Sequence, residues 1–162
     1  MTAAPVLALL AQFITTRPPV IGDPSPALVV DSVDGRELPP PNPAGRVTVV
    51  DFFATWCGPC RQAHRDLGAL AQTFGDNVTF LFVDVGEHPS VVRRFLADWP
   101  PPKGARVVLD RAGGNAQRWG AESFPTTFIV GADGVIRHIN RGWGAGYRAR
   151  LDRWLRAMLA PR

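Results

Sequence analysis

Residues 47–61 read Val-Thr-Val-Val-Asp-Phe-Phe-Ala-Thr-Trp-Cys-Gly-Pro-Cys-Arg, and they contain both cysteines of the 162-residue chain. Residues 47–53 are mostly apolar and β-branched or aromatic, which predicts a buried strand. Residues 61–74 carry apolar side chains at helical spacing, which predicts an amphipathic helix. Cys57 therefore lies where a helix begins, and the unpaired N–H groups and dipole at that end favour an anion such as a thiolate.

The two cysteines are separated by Gly58 and Pro59, a spacing that lets them close a disulfide with little backbone movement. Cys57 is expected to be the exposed nucleophile, and Cys60, inside the first helical turn, the buried thiol that resolves a mixed disulfide. Gly58 and Pro59 bring no charge or side-chain donor to stabilise the thiolate, which favours a reducing dithiol over a strong oxidant.

Two other interpretations of the cysteines are a structural disulfide and half of a metal site. A disulfide across so short a loop removes little chain entropy. A zinc site usually needs four ligands, and only His64 lies near the cysteines in sequence, four residues after Cys60. We therefore expect no metal ligands and no cofactor other than the redox-active Cys57–Cys60 disulfide.

Asp51 places a carboxyl inside a segment that is predicted to be buried. Burying an unpaired charge is unfavourable, so we expect this carboxyl to be largely neutral or linked to water. It precedes Cys57 by six residues, at the end of the strand, where it can relay a proton to or from Cys60. The alternative is that the edge of the strand leaves Asp51 exposed.

Two further features are expected beside the dithiol. Trp56 is predicted to lie next to the cysteines and shield them, with packing in the core as the alternative. Pro125 opens a predicted inner strand, a position that favours a cis peptide bond or a bulge, with an ordinary trans proline as the alternative. A cis bond would leave the backbone of Phe124 free to pair with an incoming peptide.

The rest of the chain alternates strands and helices. The patterns predict strands at 27–30, 78–85, 105–109, 126–130 and 135–139, and helices at 89–99, 115–120 and 147–159. Asp34-Gly35 predicts a hairpin turn before residues 36–38. Together these elements predict one α/β domain over residues 22–162, with a mixed sheet and helices on both faces. Residues 1–21 are an N-terminal extension, either a short helix over 1–16 or the remnant of an export segment.

Charge and hydropathy argue against nucleic-acid binding and against a membrane span, and leave acidic membranes and acidic proteins open as partners. The formal net charge is +4, but the basic residues form no block of the kind that binds nucleic acid. The chain contains no stretch of about 18 apolar residues, so the sequence predicts no transmembrane segment.

Three motifs resemble the thioredoxin superfamily. Residues 49–61 match its hallmark, Phe124-Pro125-Thr126-Thr127 is similar to its cis-proline loop, and Gly142 matches the glycine that borders its site. An extra helix–strand unit at 89–109 resembles the TlpA/ResA-like thiol–disulfide oxidoreductases. The resemblance implies a thioredoxin-like fold in which Cys57 attacks, Cys60 resolves, Asp51 carries a buried proton and Pro125 is cis.

The resemblance also implies a set of contacts and partners. The implied client-contacting residues are Trp56, Gly58, Pro59, Phe124, Pro125 and Gly142. The implied partners are disulfide-containing client proteins and an upstream electron donor. The protein is expected to act as a monomer in the periplasm or another extracytoplasmic space, with the cytoplasm as the alternative.

The chain departs from the family pattern in three places. Many TlpA/ResA-like members have Asn where Asp51 stands. By the resemblance, Phe80 stands where thioredoxin has the lysine that pairs with this aspartate. The acidic residue that cytochrome-maturation members carry just after the proline is missing, because Thr126 and Thr127 follow Pro125.

The leading functional hypothesis is a dithiol reductase of protein disulfides that works through a mixed disulfide. The first alternative is a binding or delivery module that holds an apocytochrome or a metal-site client with little turnover. The second alternative is a protein that binds a metal through the cysteines.

Overall fold

A computed structural model describes residues 17–35, 38–39 and 44–161 of the chain. The strands are β1 (Asp31–Ser32), β2 (Val47–Phe53), β3 (Val78–Val85), β4 (Arg106–Asp110), β5 (Thr126–Val130) and β6 (Ile136–Arg141). The helices are α1 (Gly58–Phe74), α2 (Pro89–Asp98), α3 (Gly114–Trp119) and α4 (Tyr147–Leu159).

The strands form one mixed sheet in the order β1-β4-β3-β2-β5-β6. β2, β3 and β4 run parallel, whereas β1, β5 and β6 pair antiparallel with their neighbours. All residues of β2 are buried, as expected for a central strand that is covered on both faces. The predicted mixed α/β sheet is confirmed.

Helices cover both faces of the sheet. On one face, α1 and α4 pack against alternate residues of β2 and β3; this core includes Val49, Phe53, Leu67, Phe80, Phe82, Leu151 and Leu155. On the other face, α3 covers a second core, which includes Val50, Phe52, Leu81, Val83, Trp119 and Phe128. Because β-strand side chains alternate between faces, Asp51 lies on the same face as Val49 and Phe53, under α1 and α4.

The predicted strand at 27–30 is wrong. The ladder with β4 is formed instead by Asp31 and Ser32. At Val29, the Asn115 side chain takes the place of a neighbouring strand: its Oδ1 accepts from the Val29 N–H at 2.8 Å and its Nδ2 donates to the Val29 carbonyl at 2.6 Å. The segment thus satisfies its backbone through a side chain from α3, which sequence periodicity cannot anticipate.

Two predicted features fall wholly or partly outside the described residues. The proposed helix over 1–16 lies outside them, as do residues 36 and 37 of the proposed hairpin. The described partner of β1 is β4, not a strand that follows Asp34-Gly35. The other predicted strands and helices are present with ends that differ by up to three residues, such as α1, which begins at Gly58 rather than Arg61.

Candidate active site

The two cysteines form a disulfide at the N-terminus of α1, with their Cα atoms 5.3 Å apart. Cys57 is the N-cap residue, and the backbone N–H of Cys60 donates to Cys57 Sγ at 3.2 Å. Pro59 fits the first helical turn because no helical hydrogen bond is required of its nitrogen. The structure therefore confirms that the first cysteine sits where backbone N–H groups can stabilise a thiolate.

The expected exposure of Cys57 is wrong for the disulfide form. Cys57 is 5% exposed and Cys60 is 1% exposed, so both are buried, although Cys57 is nearer to solvent. Cys57 Sγ lies 3.5 Å from the carbonyl oxygen of Phe124, and this neighbouring loop covers it. Gly58 and Pro59 between the cysteines are exposed.

The loop before β5 lies against one side of the disulfide. The Phe124–Pro125 peptide bond is cis, as one of the two interpretations predicted. Gly142 borders the same loop, because its N–H donates to the Pro125 carbonyl at 2.7 Å. Gly142 has φ 77°, a conformation that L side chains rarely adopt, which explains a glycine at this position.

Two tryptophans provide exposed aromatic surface. Trp56 is 72% exposed, so the alternative of core packing is wrong. Its ring is tilted by 60° against that of Phe124, with 6.2 Å between the ring centres. Trp143 directly follows Gly142, is 41% exposed, and donates from Nε1 to Asp66 Oδ2 at 2.9 Å. The sequence analysis did not single out Trp143.

Asp51 is buried, and its carboxyl is hydrogen-bonded to two protein side chains. It is 1% exposed, so the alternative of an exposed strand edge is wrong. Its Oδ2 lies 3.0 Å from His64 Nε2, and its Oδ1 accepts from the Thr127 hydroxyl at 2.8 Å. The Tyr147 hydroxyl lies 2.8 Å from Thr127 Oγ1. Burial, followed by the charge of Asp51, raises the pKa of Tyr147 well above its ordinary value.

The β3 residue that pairs with Asp51 is not Phe80, the residue that the resemblance implied. Phe80 lies opposite Val49, whereas Phe82 lies opposite Asp51. The basic side chain that pairs with the carboxyl comes from α1 instead of β3. His64 could have been suspected because it lies four residues after Cys60 and shares its helix face with buried Leu67.

A second buried carboxyl, Asp84, lies one residue before the end of β3, opposite Phe53. It is 0% exposed, and in the part of the chain that the structure describes neither of its oxygens accepts a hydrogen bond of regular geometry; its main interaction is with the carboxyl of Glu87. Nearby Glu87 accepts from the Thr55 N–H and hydroxyl, each at 2.7 Å. Burial, reinforced by Glu87, raises the pKa of Asp84 to about 8. The site therefore has a carboxylic acid that is neutral at pH 7 just behind the Thr55-Trp56 turn.

The described residues contain neither a metal-binding cluster nor a membrane-spanning helix. Over 17–35, 38–39 and 44–161, no three His, Cys, Asp or Glu side chains are grouped so as to hold a metal ion. No helix in those ranges is long and apolar enough to cross a membrane.

The sequence profile of Redoxin matches residues 21–146. The chain belongs to the Redoxin family. This Redoxin chain is similar to the thiol:disulfide interchange protein CycY of Rhizobium leguminosarum bv. viciae, with 35% identity over 92 residues, 57% of this chain and 48% of CycY. It is also similar to the thiol-disulfide oxidoreductase ResA of Geobacillus thermodenitrificans, with 27% identity over 144 residues, 88% of this chain and 82% of ResA.

The chain spans about half the length of CycY and of HelX from Rhodobacter capsulatus. Among solved structures, a thiol:disulfide interchange protein of Chlorobium tepidum superimposes with a TM-score of 0.68 at 22% identity, covering 88% of this chain and 99% of the other. StoA of Bacillus subtilis gives a TM-score of 0.66 at 21% identity, covering 80% and 96%. These matches confirm the thioredoxin-like fold and the TlpA/ResA-like relationship of this Redoxin chain.

Proposed function

We propose that this protein is a thiol–disulfide oxidoreductase that reduces disulfides of client proteins through Cys57 and Cys60. The observation that carries the proposal is the disulfide that caps α1 beside cis-Pro125. A purely structural disulfide would not require an exposed aromatic residue next to it, and Trp56 is 72% exposed. The TlpA/ResA-like relatives support the same chemistry.

The reaction starts from the dithiol form. The Cys57 thiolate attacks one sulfur of a client disulfide, and the other client sulfur leaves as a thiolate. The Cys60 thiol then loses its proton and attacks Cys57 Sγ, which releases the second client thiolate and closes the Cys57–Cys60 disulfide. The client gains two electrons and the protein loses two. An upstream dithiol donor has to return them.

Asp51 serves in this scheme as the buried acceptor of the Cys60 proton. Its two carboxyl oxygens are held by His64 and Thr127, so it has a fixed orientation under α1. Proton acceptance by a positioned carboxylate makes the Cys60 thiolate available for attack on Cys57 Sγ. Asp51 therefore acts on the second step of the exchange and not on the first.

The client is held in an extended conformation beside Pro125. The Phe124 carbonyl oxygen already lies 3.5 Å from Cys57 Sγ, so a peptide that pairs with this backbone brings its sulfur to Cys57. Trp56 and Gly142 border the same place, and exposed Gly58 and Pro59 allow a close approach. The proposed location is the periplasm or another extracytoplasmic space, where protein disulfides persist. A monomer suffices for this scheme.

Reduction of insulin by dithiothreitol tests the proposal. The protein should accelerate it, and Cys57→Ser should abolish the acceleration because no thiolate then attacks the client disulfide. Cys60→Ser is the matched control: it should trap a stable mixed disulfide between Cys57 and the client. Full activity of Cys57→Ser would refute the proposal. Stable client binding without any exchange would identify a binding module instead.

A further inference from the structure

His64 is a buried imidazole that the exchange steps above do not use. It faces inward from α1, four residues after Cys60, and its side chain is 2% exposed. Its Nε2 lies 3.0 Å from Oδ2 of Asp51, whose side chain is 1% exposed. Burying two ionisable groups in contact is unfavourable unless each satisfies the other. The two side chains therefore form one protonation unit.

The remaining hydrogen bonds converge on the carboxyl of Asp51. A threonine hydroxyl has a single proton, which Thr127 donates to Asp51 Oδ1. Thr127 Oγ1 must then accept from the hydroxyl of Tyr147, whose raised pKa keeps it in its neutral, donating form. The direction Tyr147 to Thr127 to Asp51 leaves Oδ2 for His64. Within this network, the contact between Asp51 Oδ2 and His64 Nε2 is therefore the place where a further proton can be held.

Aromatic rings fix the imidazole in place. The ring of Trp99 stacks on it at 4.9 Å, and the rings of Phe53 and Phe82 meet it edge-on, each at 4.5 Å. A cavity of about 10 Å³, the size of about one water, borders His64, but its other walls are aromatic or aliphatic. Such walls offer a water too few polar partners. The environment therefore keeps the ring oriented towards Asp51.

We propose that His64 is a positioning residue that shares one proton with Asp51, so that the pair, and not Asp51 alone, takes up the proton of Cys60. The inference rests on the proposed oxidoreductase function. When the Cys60 thiol gives up its proton and Cys60 attacks Cys57 Sγ, the proton passes to Asp51 and the imidazole stabilises it there. When the disulfide is reduced again, the pair returns that proton to Cys60.

Other titratable groups around the pair have to be separated from this effect. Asp84 follows Phe82 by two residues on β3 and lies on the same face of the sheet. Asp66 of α1 and Arg150 of α4 act on Tyr147 at the other end of the network. The neighbour from the end of α2 is Trp99, which has no charge. Asp84 is the group to control for, because its pKa is raised to about 8.

A two-phase assay isolates the step in which Cys60 acts. The reduced protein is mixed with a small aromatic disulfide that releases one coloured thiolate when Cys57 attacks and a second when Cys60 resolves. For the wild-type protein, the rate of the second phase should depend on pH with an inflection, because the Asp51–His64 pair takes up the Cys60 proton in this step. In His64→Gln, the amide still donates to Asp51 but cannot take up the proton. Its second phase should be about tenfold slower at pH 7.5 and lack the inflection, with the first phase unchanged.

Two matched variants serve as controls for the two-phase assay. His138 lies on the edge strand β6, where its ring stacks on Trp154 with 4.3 Å between the ring centres. His138→Gln should therefore leave both phases unchanged. Asp84→Asn should keep the inflection. If His64→Gln keeps the wild-type inflection at any absolute rate, His64 is only structural and the inference is wrong, while insulin reduction would still support the oxidoreductase function.

Nitrogen NMR of the wild-type protein provides a second test that does not depend on a variant folding. The chain has three histidines, so His88 and His138 act as internal references. The His64 ring nitrogens should change protonation between the disulfide and dithiol forms at the same pH, whereas the reference rings should not. Identical His64 signals in both redox forms throughout about pH 5 to 9 would overturn the inference.

Discussion

The carboxyls of Asp51 and Asp84 lie on the same face of the sheet, on adjacent parallel strands, and have opposite surroundings. Both are buried, at 1% and 0% exposure. Asp51 has partners on both oxygens, one of them the imidazole of His64. Among the described residues, Asp84 accepts no hydrogen bond of regular geometry and interacts mainly with another carboxyl, that of Glu87.

The difference shows that burial alone does not determine what an acidic residue does. Burial and the neighbouring carboxyl of Glu87 disfavour the charged form, and so the pKa of Asp84 rises to about 8. Asp51 is equally buried, but an imidazole and a hydroxyl hold its two oxygens, as a group that has to exchange a proton requires. The two carboxyls therefore differ in role. Hydrogen bonds orient the carboxyl of Asp51 for proton exchange, whereas the carboxyl of Asp84 is neutral at pH 7.

The largest stability effect is expected from Thr127→Val, which removes the hydroxyl between Asp51 and Tyr147 at almost constant shape. Both groups would lose a buried partner, and the unfolding free energy should fall by about 2–3 kcal/mol. Urea denaturation at pH 7 measures this. Thr73→Val is the control, because the Thr73 hydroxyl is exposed and donates to the Ala69 carbonyl in the preceding turn of the same helix. Equal effects for the two variants would show that the Asp51 network does not stabilise the fold.

Asp84→Asn should change the pH dependence of stability. From about pH 4 to about pH 8, folded Asp84 keeps a proton that the unfolded chain has released, because its pKa is raised from 3.8 to about 8. The contribution of Asp84 to stability is therefore complete below about pH 4 and is lost as the pH rises towards 8. Asn does not titrate, so the unfolding free energy of the variant relative to the wild-type protein should increase as pH rises.

The gain should be on the order of 2 kcal/mol between pH 5 and 8, because each pH unit over which only folded Asp84 keeps its proton is worth about 1.4 kcal/mol and half-buried Glu87 screens part of it. Paired denaturation curves of variant and wild type at these two pH values measure it. If the stability difference between Asp84→Asn and the wild-type protein stays constant with pH, Asp84 is ionised in the folded protein. The proposed difference in charge between Asp84 and Asp51 would then be wrong.

Tyr147→Phe should have the smallest effect, about 1 kcal/mol, because it removes one hydroxyl and leaves Thr127 free to donate to Asp51. The comparison with Thr127→Val measures how much of the network depends on its outer member. A Tyr147→Phe loss as large as that of Thr127→Val would place the main stabilising contact at Tyr147 and not at Asp51.

Local sequence was a good guide to the elements around the dithiol. The apolar run of β2, the helical spacing of α1 and the capping position of Cys57 are all properties of neighbouring residues. The segment 27–30 was mispredicted because Asn115, 86 residues from Val29, supplies its hydrogen bonds. Local pattern also gave Cys57 as exposed, since the covering Phe124 carbonyl comes from a distant loop.

By itself, the sequence determined the strand–dithiol–helix unit, the mixed α/β fold and the place of Asp51 in a buried strand, because each depends on residues that are close along the chain. Only the tertiary structure decided what surrounds each carboxyl. The parallel register of β2 and β3 places Phe82 and not Phe80 beside Asp51, and the packing of α1 brings His64 to it. Register and helix packing depend on the whole core. The same residue type is therefore oriented by an imidazole and a hydroxyl at position 51 and faces a second carboxyl at position 84.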